Sequence, residues 1–168
     1  RSFLKLSFCR SVRILVPMVT VASDMQKVRE FYSHAARDLS CLHPPPLGSM
    51  IETPAAALCP KTISQYSDFF SVGTNDLTQY TMAASRENAE VANYFLQDHP
   101  SIFSLLNIVA QAASAKPFGV CGQLAGRPHA TAKLLEMGVR ELSVNPLQIP
   151  YIKQAVREID LNNVKSLC

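Results

Sequence analysis

The chain has no tryptophan, no C-x-x-C pair, no block of basic residues and no apolar run approaching the roughly 18 to 20 residues that span a bilayer. Without such a run, membrane insertion is not expected. Lys and Arg are scattered, no aromatic pattern lies beside them and the net charge is only +3, so nucleic acid is not an expected partner. The five cysteines (Cys9, Cys41, Cys59, Cys121, Cys168) are odd in number and widely spaced. That spacing argues against a disulfide framework or a zinc site and makes a reducing cytoplasm the default compartment. His34, His43, His99 and His129 also lack metal-ligand spacing and are expected at the surface. The opening RSFLKLSFCRSVR is broken by Lys5 and Arg10, a poor signal sequence that reads better as the end of an amphipathic helix. It begins at Arg1 and not at methionine, which suggests a fragment or a processed product.

What is there is a globular composition, 48% hydrophobic against 17% charged, in 168 residues, enough for one domain with a sizeable core. Short β-like runs alternate with amphipathic segments. Arg13–Val19, Ser49–Glu52, Phe69–Val72, Phe118–Cys121 and Glu141–Val144 read as strands. Ser23 is the expected N-cap of a helix over about Asp24 to Leu39, and Pro54 opens a second helix. Ser101 or Pro100 opens a third running to Ala115. Pro128 begins a fourth that Gly138 ends, and Ile149 to Ile159 is the last. Apolar, unalternating strands between helices predict a parallel sheet buried on both faces, either an open doubly wound sheet or part of a (β/α) barrel. Both place chemistry at the C-terminal strand ends, where Glu52, Asn75, Asp76 and Cys121 fall.

Residues Ser71 to Arg86, SVGTNDLTQYTMAASR, form a strand, a turn at Gly73 and a helix-like segment carrying Arg86. A carboxylate for a metal, with an amide and a guanidinium for phosphate or carboxylate oxygens, suits an anionic ligand with a divalent ion. Glu52, in Met-Ile-Glu-Thr-Pro-Ala-Ala-Ala (Met50 to Ala57), ends a strand before a helix start. It could cap that helix or hold a cation with Asp76. Arg86 could be a solvated helix-end arginine or a bidentate phosphate ligand. Cys121, in Gly-Val-Cys-Gly-Gln-Leu-Ala-Gly (Gly119 to Gly126), could be a small buried hydrophobe or a thiol acid.

These three motifs closely resemble the C-terminal domain of the phosphoenolpyruvate-utilising enzymes. Within that family the resemblance is nearest to the phosphoenolpyruvate–protein phosphotransferases (enzyme I of the sugar phosphotransferase system) and multiphosphoryl transfer proteins. It covers about Arg13 to Ile159. The resemblance implies a (β/α)8 barrel, of which this chain would be the C-terminal portion over residues 1–168, with about five of eight strands. It implies Glu52 and Asp76 as Mg²⁺ ligands, Asn75, Asp76 and Arg86 as substrate-binding residues, and Cys121 as the proton donor to C3 of enolpyruvate. The implied partners are phosphoenolpyruvate and pyruvate, a phosphohistidine domain, a phosphocarrier protein and a second copy in a homodimer. Two positions depart from the family pattern: Ser85 stands where an Asp is usual, and Gln123 where a Glu is usual. Arg13, in a family-like Arg-Ile-Leu-Val-Pro-Met segment, lies at the wrong end of its strand for the rim. Two other readings remain open at this point. One is a non-catalytic remnant that dimerises or binds a partner; the other is a fragment of a phosphoenolpyruvate synthase or pyruvate phosphate dikinase.

Overall fold

A computed structural model describes residues 2–6, 11–113 and 116–160. Cys9, Cys168 and the expected last residues of the third helix, 114–115, lie outside the described residues. Five parallel strands, β1 (Ile14–Val19), β2 (Leu47–Ile51), β3 (Phe70–Gly73), β4 (Phe118–Cys121) and β5 (Glu141–Ser143), pair in the order of the chain. The short helix α1 (Ser2–Leu6) precedes them. The crossovers carry α2 (Ala22–Asp38), the pair α3 (Pro54–Leu58) and α4 (Pro60–Ser64), then α5 (Thr74–Met82) with α6 (Pro100–Ala113), then α7 (Pro128–Glu136). Helix α8 (Ile149–Glu158) follows β5. A doubly wound sheet reverses its strand order at a switch point; this one does not, which is the order of a barrel wall.

The two faces of the sheet differ in chemistry. By register, Ile51, Val72, Val120 and Leu142 align on one face. With Leu47, Phe70 and Phe118, three of these join a single core cluster with helix residues such as Met25, Ile63, Leu77, Ile102, Leu106 and Leu134; Leu142 packs against it part-buried. The other face carries Gly48, Met50, Phe69, Ser71, Gly73, Gly119, Cys121 and Glu141. Burial on both faces holds for most of β2 to β4, whereas β1 and β5 are half-exposed because neither pairs a second strand among the described residues.

The sheet is curled around this second face. Arg13, just before β1, clamps Glu141, the first residue of β5, with two hydrogen bonds of 2.7 and 2.6 Å, and stacks 5.0 Å from the centre of the Phe69 ring. In a flat sheet four inter-strand steps would separate those edges by roughly 19 Å, too far for one side-chain pair. Gly48 lets Phe69 lie flat there, since a Cβ at that position would sit 2.5 Å from the ring.

Several element ends differ from the sequence expectation. Helix α2 starts at Ala22, and the work expected of Ser23 falls to Asp24, whose carboxylate accepts from the Thr20 and Val21 backbone N–H groups at 3.1 and 3.0 Å. The helix after Pro54 breaks at Cys59, because Pro60 offers no N–H and disfavours helical backbone in the residue before it. Helix α5 stops at Met82 with Ala83 left-handed at φ 50°, so Arg86 lies in a loop and not on the helix.

Candidate functional site

The C-terminal ends of β2, β3 and β4 bring together three of the residues singled out in the sequence. Glu52, one residue past β2, is only 4% exposed. Its Oε1 accepts a 2.7 Å hydrogen bond from the Met18 backbone N–H. That donor is aimed by a bulge in β1 at which Met18 takes φ 53°, a left-handed conformation that is costly for a side chain of this kind. Gly73 provides the room on the other side: a Cβ there would lie 2.6 Å from Glu52 Oε2 and 3.2 Å from Met50 Sδ.

Asp76 stands in the first turn of α5, directly after the Gly73 turn. Burial raises the Glu52 pKa first, the Met18 hydrogen bond opposes the rise, and Asp76 adds to it through a hydrogen bond to the carboxyl and through its charge. Neither carboxylate forms an ion pair with a Lys or Arg among the described residues. Two carboxyl groups this close need a shared proton or a cation between them. No set of three or more His, Cys, Asp or Glu side chains placed to hold a metal occurs among the described residues. A divalent ion held here would complete its shell with water and ligand oxygens, the habit of Mg²⁺.

Cys121, at the end of β4, is half-buried and its Sγ donates to the Val72 carbonyl at 3.4 Å. Burial pushes the thiol pKa up, a hydrogen bond with Ser71 pulls it back in part, and the charges of Glu52 and Asp76 raise it further. The thiol is therefore a protonated group beside two carboxylates. Thr74 ties the two strand ends together, its Oγ1 donating to the Cys121 carbonyl at 2.8 Å.

Asn75 is half-buried, and its Oδ1 accepts from Gln97 Nε2 and from the Gln123 backbone N–H, both at 2.9 Å. Gly122, at φ 98°, permits this approach; a Cβ would lie 2.6 Å from Thr74 Oγ1 and 2.9 Å from Asn75 Oδ1. Arg86 is not joined to this group. It is exposed and makes no hydrogen bond or ion pair among the described residues. Arg13 is engaged at the opposite end of the sheet, as its strand position suggested. Two participants were invisible in the sequence: the Met18 N–H, which any residue could supply, and Gln97, buried in an aperiodic stretch ahead of α6.

The family model described as "PEP-utilising enzyme, PEP-binding domain" matches residues 1–161. A phosphoenolpyruvate-protein phosphotransferase from Haemophilus influenzae is 42% identical over 123 residues, covering 72% of this chain and 21% of its own length. A multiphosphoryl transfer protein from Xanthomonas campestris is 36% identical over 156 residues, covering 92% and 18%. The chain thus spans only about a fifth of these relatives. Among solved structures, a citrate lyase from Burkholderia xenovorans aligns with a TM-score of 0.67 at 20% identity, over 88% of this chain and 49% of that one. The Mycobacterium tuberculosis protein CitE, in complex with magnesium and pyruvate, aligns with a TM-score of 0.59 at 16% identity, over 95% and 64%. At such identities these two speak for the fold alone. No helix among the described residues is long and apolar enough to cross a membrane. The chain belongs to the phosphoenolpyruvate-utilising enzymes, as a member of their PEP-binding domain family.

Proposed function

We propose that this chain is the phosphoenolpyruvate-binding part of an enzyme that moves the phosphoryl group of phosphoenolpyruvate to a protein histidine and releases pyruvate. The observation that carries the reading is the buried Glu52 carboxyl at the end of β2, held by the Met18 N–H, with Asp76 and the Cys121 thiol at the ends of the next two strands of the same rim. Glu52 and Asp76 hold Mg²⁺, which when bound neutralises phosphate and carboxylate oxygens of the substrate. Asn75 donates from its amide to those oxygens. Arg86 swings from its loop to take phosphate oxygens bidentately. The Cys121 thiol, kept protonated by burial and by its anionic neighbours, gives its proton to C3 of the enolpyruvate once the phosphoryl group has left. The thiolate is reprotonated from solvent, since Cys121 is only half-buried.

The sheet forms part of a (β/α)8 barrel whose remaining strands add further substrate contacts to a rim that already binds the ligand by itself. The open edges at β1 and β5 and the small share of the relatives' length support this. The phosphoryl acceptor is a histidine on a separate phosphohistidine domain, which passes the group to a phosphocarrier protein; the complete protein is a cytoplasmic homodimer. The substitution Asp76→Ala should abolish metal-dependent binding of phosphoenolpyruvate, read by calorimetric titration. Normal binding by that variant in Mg²⁺ would show the metal assignment to be wrong. In the complete parent enzyme, Cys121→Ala should spare binding and slow pyruvate release.

A further inference from the structure

Asn75 is held by more than its place on α5. A backbone N–H can only donate, so the Gln123 N–H requires the oxygen of the Asn75 carboxamide, and not its nitrogen, on that side. Gln97 must then present its own nitrogen, and the two donors fill Oδ1 from two directions. Nδ2 has no protein partner among the described residues and is not among the enclosed unpaired atoms. Asn75 therefore offers two N–H groups outward and no acceptor, the polarity an anionic oxygen needs.

Gln97 itself is placed at a cost. It is 1% exposed, and its Oε1 is enclosed without a hydrogen-bond partner among the described residues. A buried acceptor left unpaired destabilises the fold, and an apolar side chain of similar size would avoid that. The adjacent residue anchors the segment: Asp98 pairs with Arg127 and lies 3.5 Å from His129 Nε2, joining the approach to α6 to the turn after β4. The segment that carries Gln97 is thus tied to the residues after β4, while Gln97 itself reaches Asn75 after β3.

We infer that Gln97 is a positioning residue, fixing the Asn75 carboxamide as a two-proton donor toward anionic ligand oxygens at this rim. This rests on the proposed reading of the rim as a phosphoenolpyruvate site. A role in binding explains why an unpaired acceptor is kept in the interior. A role in folding alone does not, because the apolar alternative would serve folding better.

The test is Gln97→Leu in the whole chain, with Gln97→Met as the unbranched alternative should leucine pack poorly. In the ligand-free chain, the Asn75 side-chain amide protons, identified by their loss in Asn75→Ala, are followed by NMR. They should shift and exchange faster in Gln97→Leu, while the melting temperature holds or rises. Affinity for phosphoenolpyruvate in Mg²⁺ should fall about tenfold, the weight of a hydrogen bond at the upper end of its usual range. In the Asn75→Ala background, Gln97→Leu should cost nothing further, because the residue acts through Asn75. An unchanged Asn75 signal overturns the inference. So does an equal loss of affinity in both backgrounds, or a lower melting temperature with affinity intact. The amide readout needs no ligand, so a folded chain that binds no phosphoenolpyruvate contradicts the proposed function while the Asn75 signal still decides the part played by Gln97.

Discussion

Glu52 sits among neighbours that resist its charge, and this has a consequence for stability. Its folded pKa is raised, first by burial and then by Asp76. The stability linked to this group is therefore fully present below the ordinary carboxylate range and is lost as pH rises through the raised value. The metal-free chain carries that loss once pH has passed the raised value. Glu52→Gln keeps an Oε1 for the Met18 N–H but removes the charge. It should raise the metal-free melting temperature at pH 7 by roughly 2–4 °C, the equivalent of about 1 kcal/mol for a chain of this size, and flatten its pH dependence. Added Mg²⁺ should stabilise the unsubstituted chain and leave this variant unmoved; calorimetric melts at several pH values check both, and a variant that melts lower at pH 7 contradicts them. The thiol of Cys121 offers a second test, because burial and two nearby charges raise its pKa. In iodoacetamide labelling followed by mass spectrometry, exposed Cys59 should react before Cys121, and Asp76→Asn should move the Cys121 labelling midpoint to lower pH. Glu52, Asn75, Asp76 and Cys121 were legible because each stands in a motif at a strand end. Gln97 was not, because it lies 22 residues from the amide that it holds, in a stretch without periodicity.

Among the elements, the glycines at strand ends do the spacing. Gly122 and Gly138 both have positive φ, 98° and 90°, but a Cβ at Gly138 would meet nothing within 4 Å, while at Gly122 it would strike Thr74 and Asn75. Gly138→Ala should therefore cost about 1–2 kcal/mol of backbone strain alone. Gly122→Ala should cost more and weaken ligand binding as well. Urea unfolding compares the two, and equal costs would contradict this account of the turn after β4. The strands themselves were readable: β4 spans the residues expected, and the other four differ by one or two residues at their ends. Helix ends were less so. The break at Cys59 and the left-handed stop at Ala83 depend on Pro60 and on local packing, and the second of these carries no mark in the residue type. For that reason Arg86 was expected on a helix and stands in a loop.

For the molecule as a whole, sequence pattern left a barrel wall and an open doubly wound sheet equally possible, since both alternate strands and helices. The difference lies in spatial order, which local pattern does not encode; the uninterrupted order β1 to β5 decides it. Curvature was equally hidden. The Arg13–Glu141 clamp that spans it joins residues 128 apart. Both side chains are about half exposed, so Arg13→Ala should lower stability by no more than about 1 kcal/mol, seen as a small shift in the urea midpoint. A larger loss would mean that this end of the sheet is more enclosed than it stands here. The central claim is that two carboxylates at one rim of this curved sheet bind an anionic substrate through a divalent ion. Its most direct test is calorimetric titration of phosphoenolpyruvate into the folded chain with and without Mg²⁺. Saturable binding in Mg²⁺ that disappears when the metal is chelated is the expected result; binding of equal strength without the metal, or none in either condition, would overturn the two-carboxylate assignment.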